Sequence, residues 1–361
     1  MITFLLQHKT KWNVFFGISL FFISFLISLV LVYIIKKYAV KLRLVDPPGE
    51  RKIHTRTMPL GGGIAIFFAI ILSLIFTSFL YHYIFSNTVL DVSRQMMCIL
   101  GGGFFIFLVG VIDDYISLKP RTKLLAQVAV AATLFAFDIK LTVFVNNEIF
   151  SFVITVFWVT LITNSFNLLD NMDGLSAGTA FIVGLILIWV MVPLGQWQVV
   201  FILCALLGAL LGFLKYNFHP ASIFMGDGGS LFIGYTLASL TIYADFYQTN
   251  FPYYAVALPI LAFAIPIFDT VTVSLYRWRE GRPIFQGDTN HFSHRLKKLG
   301  LSTKQAVLVI YFITFATGIN ATLLYQVDDW LGAMVIVVQL VAILFVIHLL
   351  EHTAYVSKSK E

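Results

Sequence analysis

Long apolar runs interrupted by short polar stretches dominate this 361-residue chain. Eleven of them lie near residues 13–35, 61–85, 97–112, 121–137, 149–163, 177–193, 199–214, 229–245, 253–276, 304–324 and 330–350. Each holds roughly 15–25 residues, enough for a helix to cross a hydrocarbon core of about 30 Å. The runs are continuously apolar and lack the period-two alternation of a membrane barrel. Charged residues make up 12% of the chain, about half the share of an ordinary soluble domain, so a soluble fold could not cover its surface. The sequence therefore predicts an all-α polytopic membrane protein of about 11 transmembrane helices, a single integral membrane domain over 1–361 with a short tail at 351–361. The first run, Trp12–Ile35, is too long for a signal-peptide core. Cys98 and Cys204 lie inside apolar runs and read as buried hydrophobes rather than as a disulfide or metal ligands.

Basic residues set the expected orientation. With the N-terminus outside, 20 of the 24 Lys and Arg residues fall on the inner side. They cluster in the first inner loop, the loop around Lys119–Lys123, the large loop from Arg277 to Lys304, and the tail. The C-terminus is then cytoplasmic. The net charge of +6 marks topology, membrane lipids and anionic phosphate groups, and no nucleic-acid-binding motif is present.

The same topology brings twelve of the 18 acids to the cytoplasmic side, several at helix ends. An acid there needs water, a cation or a metal to compensate it. Asp113 and Asp114 end one apolar run; adjacent carboxylates repel, which suits a proton acceptor or a metal site, although a solvated helix end beside Lys119 and Lys123 is the plainer account. In "NSFNLLDNMDGLSAG" Asn164, Asn167 and Asn171 fall on one helical stripe, and Asp170 and Asp173 are three residues apart, with no Lys or Arg among them. Asp227 is set among Gly226, Gly228 and Gly229, where backbone N–H groups can approach a phosphate; Lys215, Asn217 and Phe224 lie close by. In the large loop His291 and His294 share a helix face among basic neighbours, too few for a zinc site but suited to a diphosphate. Acids and bases on one membrane face imply a divalent cation and a phosphorylated substrate. Mg²⁺ is expected, with Mn²⁺ as the alternative.

These motifs resemble those of the polyprenyl-phosphate N-acetylhexosamine-1-phosphate transferases. The resemblance runs from "VDPPGERKIHTRTMPLGGG" through "DD" at 113–114, "NSFNLLDNMDGL", "NFHPASIFMGDGGS" and "PIFDT" to "DTNHFSHRL". The "RKIH" segment and the number of spans are more similar to the WecA/TagO branch than to the MraY branch. The resemblance implies transfer of N-acetylhexosamine 1-phosphate from a UDP-sugar to a polyprenyl phosphate such as undecaprenyl phosphate, on the cytoplasmic face of the cell membrane, with UMP released. An MraY-like transfer of phospho-MurNAc-pentapeptide is the alternative within the family, and a cation-coupled transporter the alternative outside it. By position Asp113, Asp114 and Asp227 would be catalytic, with Asp227 and Asp170 at the metal. Asn167, Asp170, Asp173, Asn217 and Phe224 would line the nucleotide pocket. Lys123, His291, His294 and Lys52 would contact phosphates. The family commonly carries H-x-H-H in its last motif, and here the middle histidine is Ser293, which bears on donor choice. A homodimer is implied by the resemblance alone.

Overall fold

The computed structural model describes residues 2–48, 57–85, 92–142, 145, 147–244, 257–283, 291–324, 326–327 and 329–358. They form thirteen helices: α1 (Ile2–Tyr38), α2 (Gly62–Ile84), α3 (Arg94–Ile116), α4 (Pro120–Ala136), α5 (Glu148–Leu169), α6 (Leu175–Met191), α7 (Trp197–Asn217), α8 (Asp227–Tyr243), α9 (Leu258–Ala262), α10 (Ala264–Arg279), α11 (Phe292–Lys298), α12 (Thr303–Leu324) and α13 (Trp330–Lys358). Two residues of β1 (Val45–Asp46) pair antiparallel with two of β2 (Met58–Pro59). Seven helices, α1, α2, α3, α5, α7, α12 and α13, are long and apolar enough to cross a membrane, so the chain is a multi-pass membrane protein. The other apolar runs form the shorter α4, α6 and α8 and the α9–α10 pair.

Local chemistry starts these helices where they begin. Ser93 accepts a hydrogen bond from the Met96 N–H at the head of α3, and Asn147 does the same for Phe150 at the head of α5. Pro120 opens α4 at a position where its missing N–H costs nothing. The run at 253–276, expected as one span, is two helices in its described part. Pro266 has no N–H to donate to the carbonyl of Ala262, and its ring would clash with that carbonyl, so α9 stops at Ala262 and α10 restarts after Phe263.

Helix α8 is the centre of the bundle. Every residue from Gly228 to Ile242 is buried, as expected of a helix walled in on all sides. It packs on α3, α5 and α2. Glycines allow the closest approaches. A Cβ on Gly63 of α2 would lie 2.2 Å from the Gly229 nitrogen, and one on Gly110 of α3 would lie 2.4 Å from the Asp227 carbonyl oxygen.

Contacts at the two ends show which helix termini lie together. At one end Ser93, Gln198 and Tyr243 join the starts of α3 and α7 to the end of α8, with oxygens 3.0–3.1 Å apart. At the other end gather the last turns of α3, α5 and α7 and the first turns of α2, α4, α6 and α8. Every polar motif of the sequence that falls within the described residues is at or near this second end.

Gly110→Ala is expected to lower stability by about 1–3 kcal/mol, the usual cost of overpacking a tight contact. Gly101→Ala, on the same helix but with no atom within 4 Å of its added Cβ, is expected to be neutral or mildly stabilising. Thermal melting of the two detergent-purified variants tests the pair.

Candidate active site

The neighbouring carboxylates of α3 point in different directions. Asp114 turns to the start of α8, where its Oδ1 accepts from the Asp227 N–H at 2.7 Å and its Oδ2 from the Gly228 N–H at 3.1 Å. It therefore satisfies two of the four N–H groups that any helix leaves unpaired at its start, and it adds a negative charge at the positive end of the helix dipole. Asp113 turns the other way. Its Oδ1 accepts from the Leu118 N–H, and its Oδ2 lies 2.8 Å from the Lys123 ammonium.

Lys123, in the first turn of α4, is shared. Its Nζ is also 2.7 Å from Asp227 Oδ2. Asp227 Oδ1 accepts from the Asn167 amide at 3.1 Å, and that amide nitrogen also lies 2.9 Å from the Ser230 hydroxyl. Asp113, Lys123, Asn167 and Asp227, drawn from four helices, are thus brought within direct hydrogen-bonding reach. Among the described residues a single ammonium stands among three carboxyl groups, 113, 114 and 227.

Asp170 is a fourth carboxyl group beside them. It is half-buried just beyond α5, and its carboxylate has no hydrogen-bond or ion-pair partner among the described residues. Burial first, and then the charges of Asp227, Asp114 and Asp173, push its pKa up to about 8. An unpartnered acid facing other acids is a place for a cation. Among the described residues no three acidic, histidine or cysteine side chains form a preformed cage. Mg²⁺ does not need one, since it is held by one or two carboxylates completed by water and substrate phosphate.

The turn from Asp170 to Gly174 is fastened on several sides. Gly174 adopts a left-handed φ of 76°. Its N–H donates to Asn217 Oδ1 at 2.9 Å, and its carbonyl accepts from the Tyr311 hydroxyl. The other end of the Asn217 amide donates to the Ile223 carbonyl at 2.9 Å. Asn217, expected in the nucleotide pocket, is therefore buried and bonded at both ends of its amide. Asp173 is held by the Ala221 N–H and His219. Phe224 is half-buried, its backbone pinned between Pro59 and Gly62 at 2.8 and 3.0 Å. The loop before α8 is thereby tied to β2 and the start of α2.

In the last motif Asp269 of α10 organises the histidines. Its Oδ1 accepts from the Phe292 N–H at 2.6 Å and its Oδ2 lies 3.0 Å from His291 Nδ1, so the acid caps α11 and orients His291 together. His294 has no hydrogen-bond partner among the described residues. Burial and the nearby positive groups, His291 first, bring its pKa down to about 4, so it is neutral near pH 7 and offers one N–H and one lone pair. Ser293, where the resemblance expects a histidine, is buried and donates to Asn171 Oδ1. The position faces the 170–174 turn. Lys52 lies outside the described residues.

Sequence reasoning picked out the acids but missed several partners. Ser230 and His219 lie inside a quoted motif but were given no role there, and Tyr311 lies in none; only the packing of α8, of the loop after α7, and of α12 shows what they do. Gln127 is a further example: its amide accepts from that of Asn164 at 2.6 Å, one turn from Lys123.

Asp114→Ala removes both acceptors from the start of α8 and is expected to cost about 1–2 kcal/mol of stability. The readout is a lower melting temperature in a protein that still inserts and purifies.

Residues 96–245 match the model of glycosyl transferase family 4. The probable undecaprenyl-phosphate N-acetylglucosaminyl 1-phosphate transferase of Bacillus subtilis (strain 168) is 35% identical over 330 residues, covering 89% of this chain and 88% of its own. The decaprenyl-phosphate N-acetylglucosaminephosphotransferase of Mycobacterium tuberculosis (strain CDC 1551 / Oshkosh) is 29% identical, covering 84% and 82%. The undecaprenyl-phosphate alpha-N-acetylglucosaminyl 1-phosphate transferase of Salmonella typhi is 28% identical, covering 85% and 84%.

Proposed function

The chain belongs to the polyprenyl-phosphate N-acetylhexosamine-1-phosphate transferases, and from that premise we propose that it transfers N-acetylglucosamine 1-phosphate from a UDP-sugar to a polyprenyl phosphate. The observation that carries this reading is the convergence of Asp113, Lys123 and Asn167 on Asp227 at one end of the bundle. There a lipid phosphate can enter from the bilayer and a nucleotide from water. The bias of Lys and Arg toward this end supports a cytoplasmic orientation in the cell membrane.

In the reaction an oxygen of the lipid phosphate attacks the phosphorus that carries the sugar. The bond from that phosphorus to the UMP oxygen breaks, and UMP leaves with the bonding electrons. The attack is direct, which needs fewer steps than a phospho-aspartate route. Little covalent work falls to the protein, so positioning and charge stabilisation dominate. An entering phosphate competes with Asp113 and Asp227 for the Lys123 ammonium, and Asp113, once released, is suited to accept a proton from the lipid phosphate. Asp173 and Phe224 are suited to the nucleoside, and His294 to a phosphate oxygen. Asp227 and Asp170 would hold Mg²⁺, which when bound neutralises diphosphate charge. A cation-coupled transporter would need acids near the middle of the membrane, whereas the acids of this site sit at helix ends.

Purified protein supplied with undecaprenyl phosphate, Mg²⁺ and UDP-N-acetylglucosamine is expected to release UMP. Asp227→Asn is expected to lower kcat by about a thousandfold or more, the scale of losing a principal charge-stabilising group, in a protein that remains folded. No UMP with any of a panel of UDP-sugars would sink the reading.

The raised pKa of Asp170 adds a prediction about metal binding. Below about pH 8 the proton and the cation compete for this carboxylate. Apparent Mg²⁺ affinity should therefore rise by up to about tenfold per pH unit between pH 6 and 8 and level off above, with roughly one proton released per ion at pH 7. Calorimetry in buffers of different ionisation enthalpy measures that proton. Asp170→Asn should lower the release, and a pH-independent affinity in the unaltered protein would refute the assignment.

A further inference from the structure

Asp173 is held through one of its two oxygens. Oδ2 accepts from the Ala221 N–H at 3.0 Å and lies 2.8 Å from His219 Nδ1. No hydrogen bond or ion pair reaches Oδ1 among the described residues. The Asp173 side chain keeps 22% of its surface exposed, and His219 flanks it at 41%. The turn that carries Asp173 is itself fixed by Asn217 and Tyr311 at Gly174.

An ordinary surface ion pair at this exposure contributes little to stability. Two features set this contact apart from a chance pairing. Both donors come from the 219–221 segment and both meet the same oxygen, so they fix the plane of the carboxylate as well as its position. Both the neutral Nδ1–H tautomer of His219 and its imidazolium carry a donor at Nδ1, so the contact can form with either.

We propose that His219 is a positioning residue for the nucleotide: with the Ala221 N–H it clamps Asp173 Oδ2 and presents Oδ1 as an acceptor to the nucleoside. This rests on the reading given under Proposed function. A uridine nucleotide offers matching donors, the N3–H of its base and the hydroxyls of its ribose. His219 touches neither the nucleotide nor the reacting phosphates. Its effect should therefore fall on binding of the UDP-sugar and leave the chemical step and the lipid substrate alone.

The contact uses Nδ1, and that fixes the test. The amide nitrogen of asparagine stands the same number of bonds from Cβ as Nδ1, whereas that of glutamine stands one further, like Nε2. His219→Ala and His219→Gln are expected to raise the KM for the UDP-sugar about tenfold, the effect of one lost orienting hydrogen bond. Their kcat should stay within about twofold and the KM for polyprenyl phosphate should not move. His219→Asn should stay within about threefold of the unaltered protein. Calorimetric titration with UMP should give the same order of affinities without turnover. Equal KM and UMP affinity across all four proteins would overturn the proposal, as would a loss confined to kcat or to the lipid KM. An Asn variant as poor as Ala would overturn it as well, because the donor would then not be what matters. If the unaltered protein releases no UMP the functional reading fails, and the UMP titration across the four proteins still decides the role of His219.

Discussion

The cap that Asp114 places on the start of α8 fixes the rest of the site. Helix α8 begins inside the protein, where its unpaired N–H groups have little water to meet, and two of them find the Asp114 carboxylate at 2.7 and 3.1 Å. That contact requires α3 and α8 to touch backbone to backbone, which the missing side chain at Gly110 permits. With its first turn pinned, α8 can present Asp227 in only a narrow range of directions, toward Lys123 on one side and Asn167 on the other. The most buried helix of the bundle thus sets the geometry of the most polar site.

That site is left short of positive charge. Lys123 bridges Asp113 and Asp227, Asp114 is taken up by backbone, and Asp170 has no partner among the described residues. In a protein interior such an excess is costly unless something arrives to offset it. A metal-bound diphosphate would do so: the cation answers the carboxylates, and the phosphates compete for the lysine. The arrangement is weak as a way to hold a fold together and well suited to a substrate that brings its own charges.

The apolar runs were legible because hydrophobic length is a local property, and the described part of each of the eleven is helical. Pro266 was visible too, but reading through it joined α9 and α10 into one span. The set of acids was legible as well, since few other reasons exist to place them at helix ends in such a chain. Their individual duties were not. Asp113 and Asp114 are neighbours in sequence and differ entirely in partners, because one faces α4 and the other α8. Asn217 was expected in the nucleotide pocket, and its amide holds Gly174 at one end and Ile223 at the other. Ser293 stands where the family resemblance expects a histidine, and its hydroxyl turns inward to Asn171. Each of these directions depends on a helix or loop far away in the chain.

The turn from Asp170 to Gly174 draws these threads together. Its backbone is held by Asn217 and Tyr311, its Asn171 by Ser293, and its Asp173 by Ala221 and His219. These supports come from the end of α7 with the loop after it, from α11 and from α12, so the turn is a junction for three other parts of the chain. Two acceptors without a partner among the described residues, the Asp170 carboxylate and Asp173 Oδ1, sit on the frame those supports make. A phosphoryl transfer that depends on alignment gains from acceptors already in place, because little ordering is left to be done when the nucleotide arrives. The serine at 293 fits the same logic. By reaching Asn171 it joins the histidine-bearing α11 to the nucleotide side of the site, so a change at this position would be felt through the turn before it was felt by any phosphate.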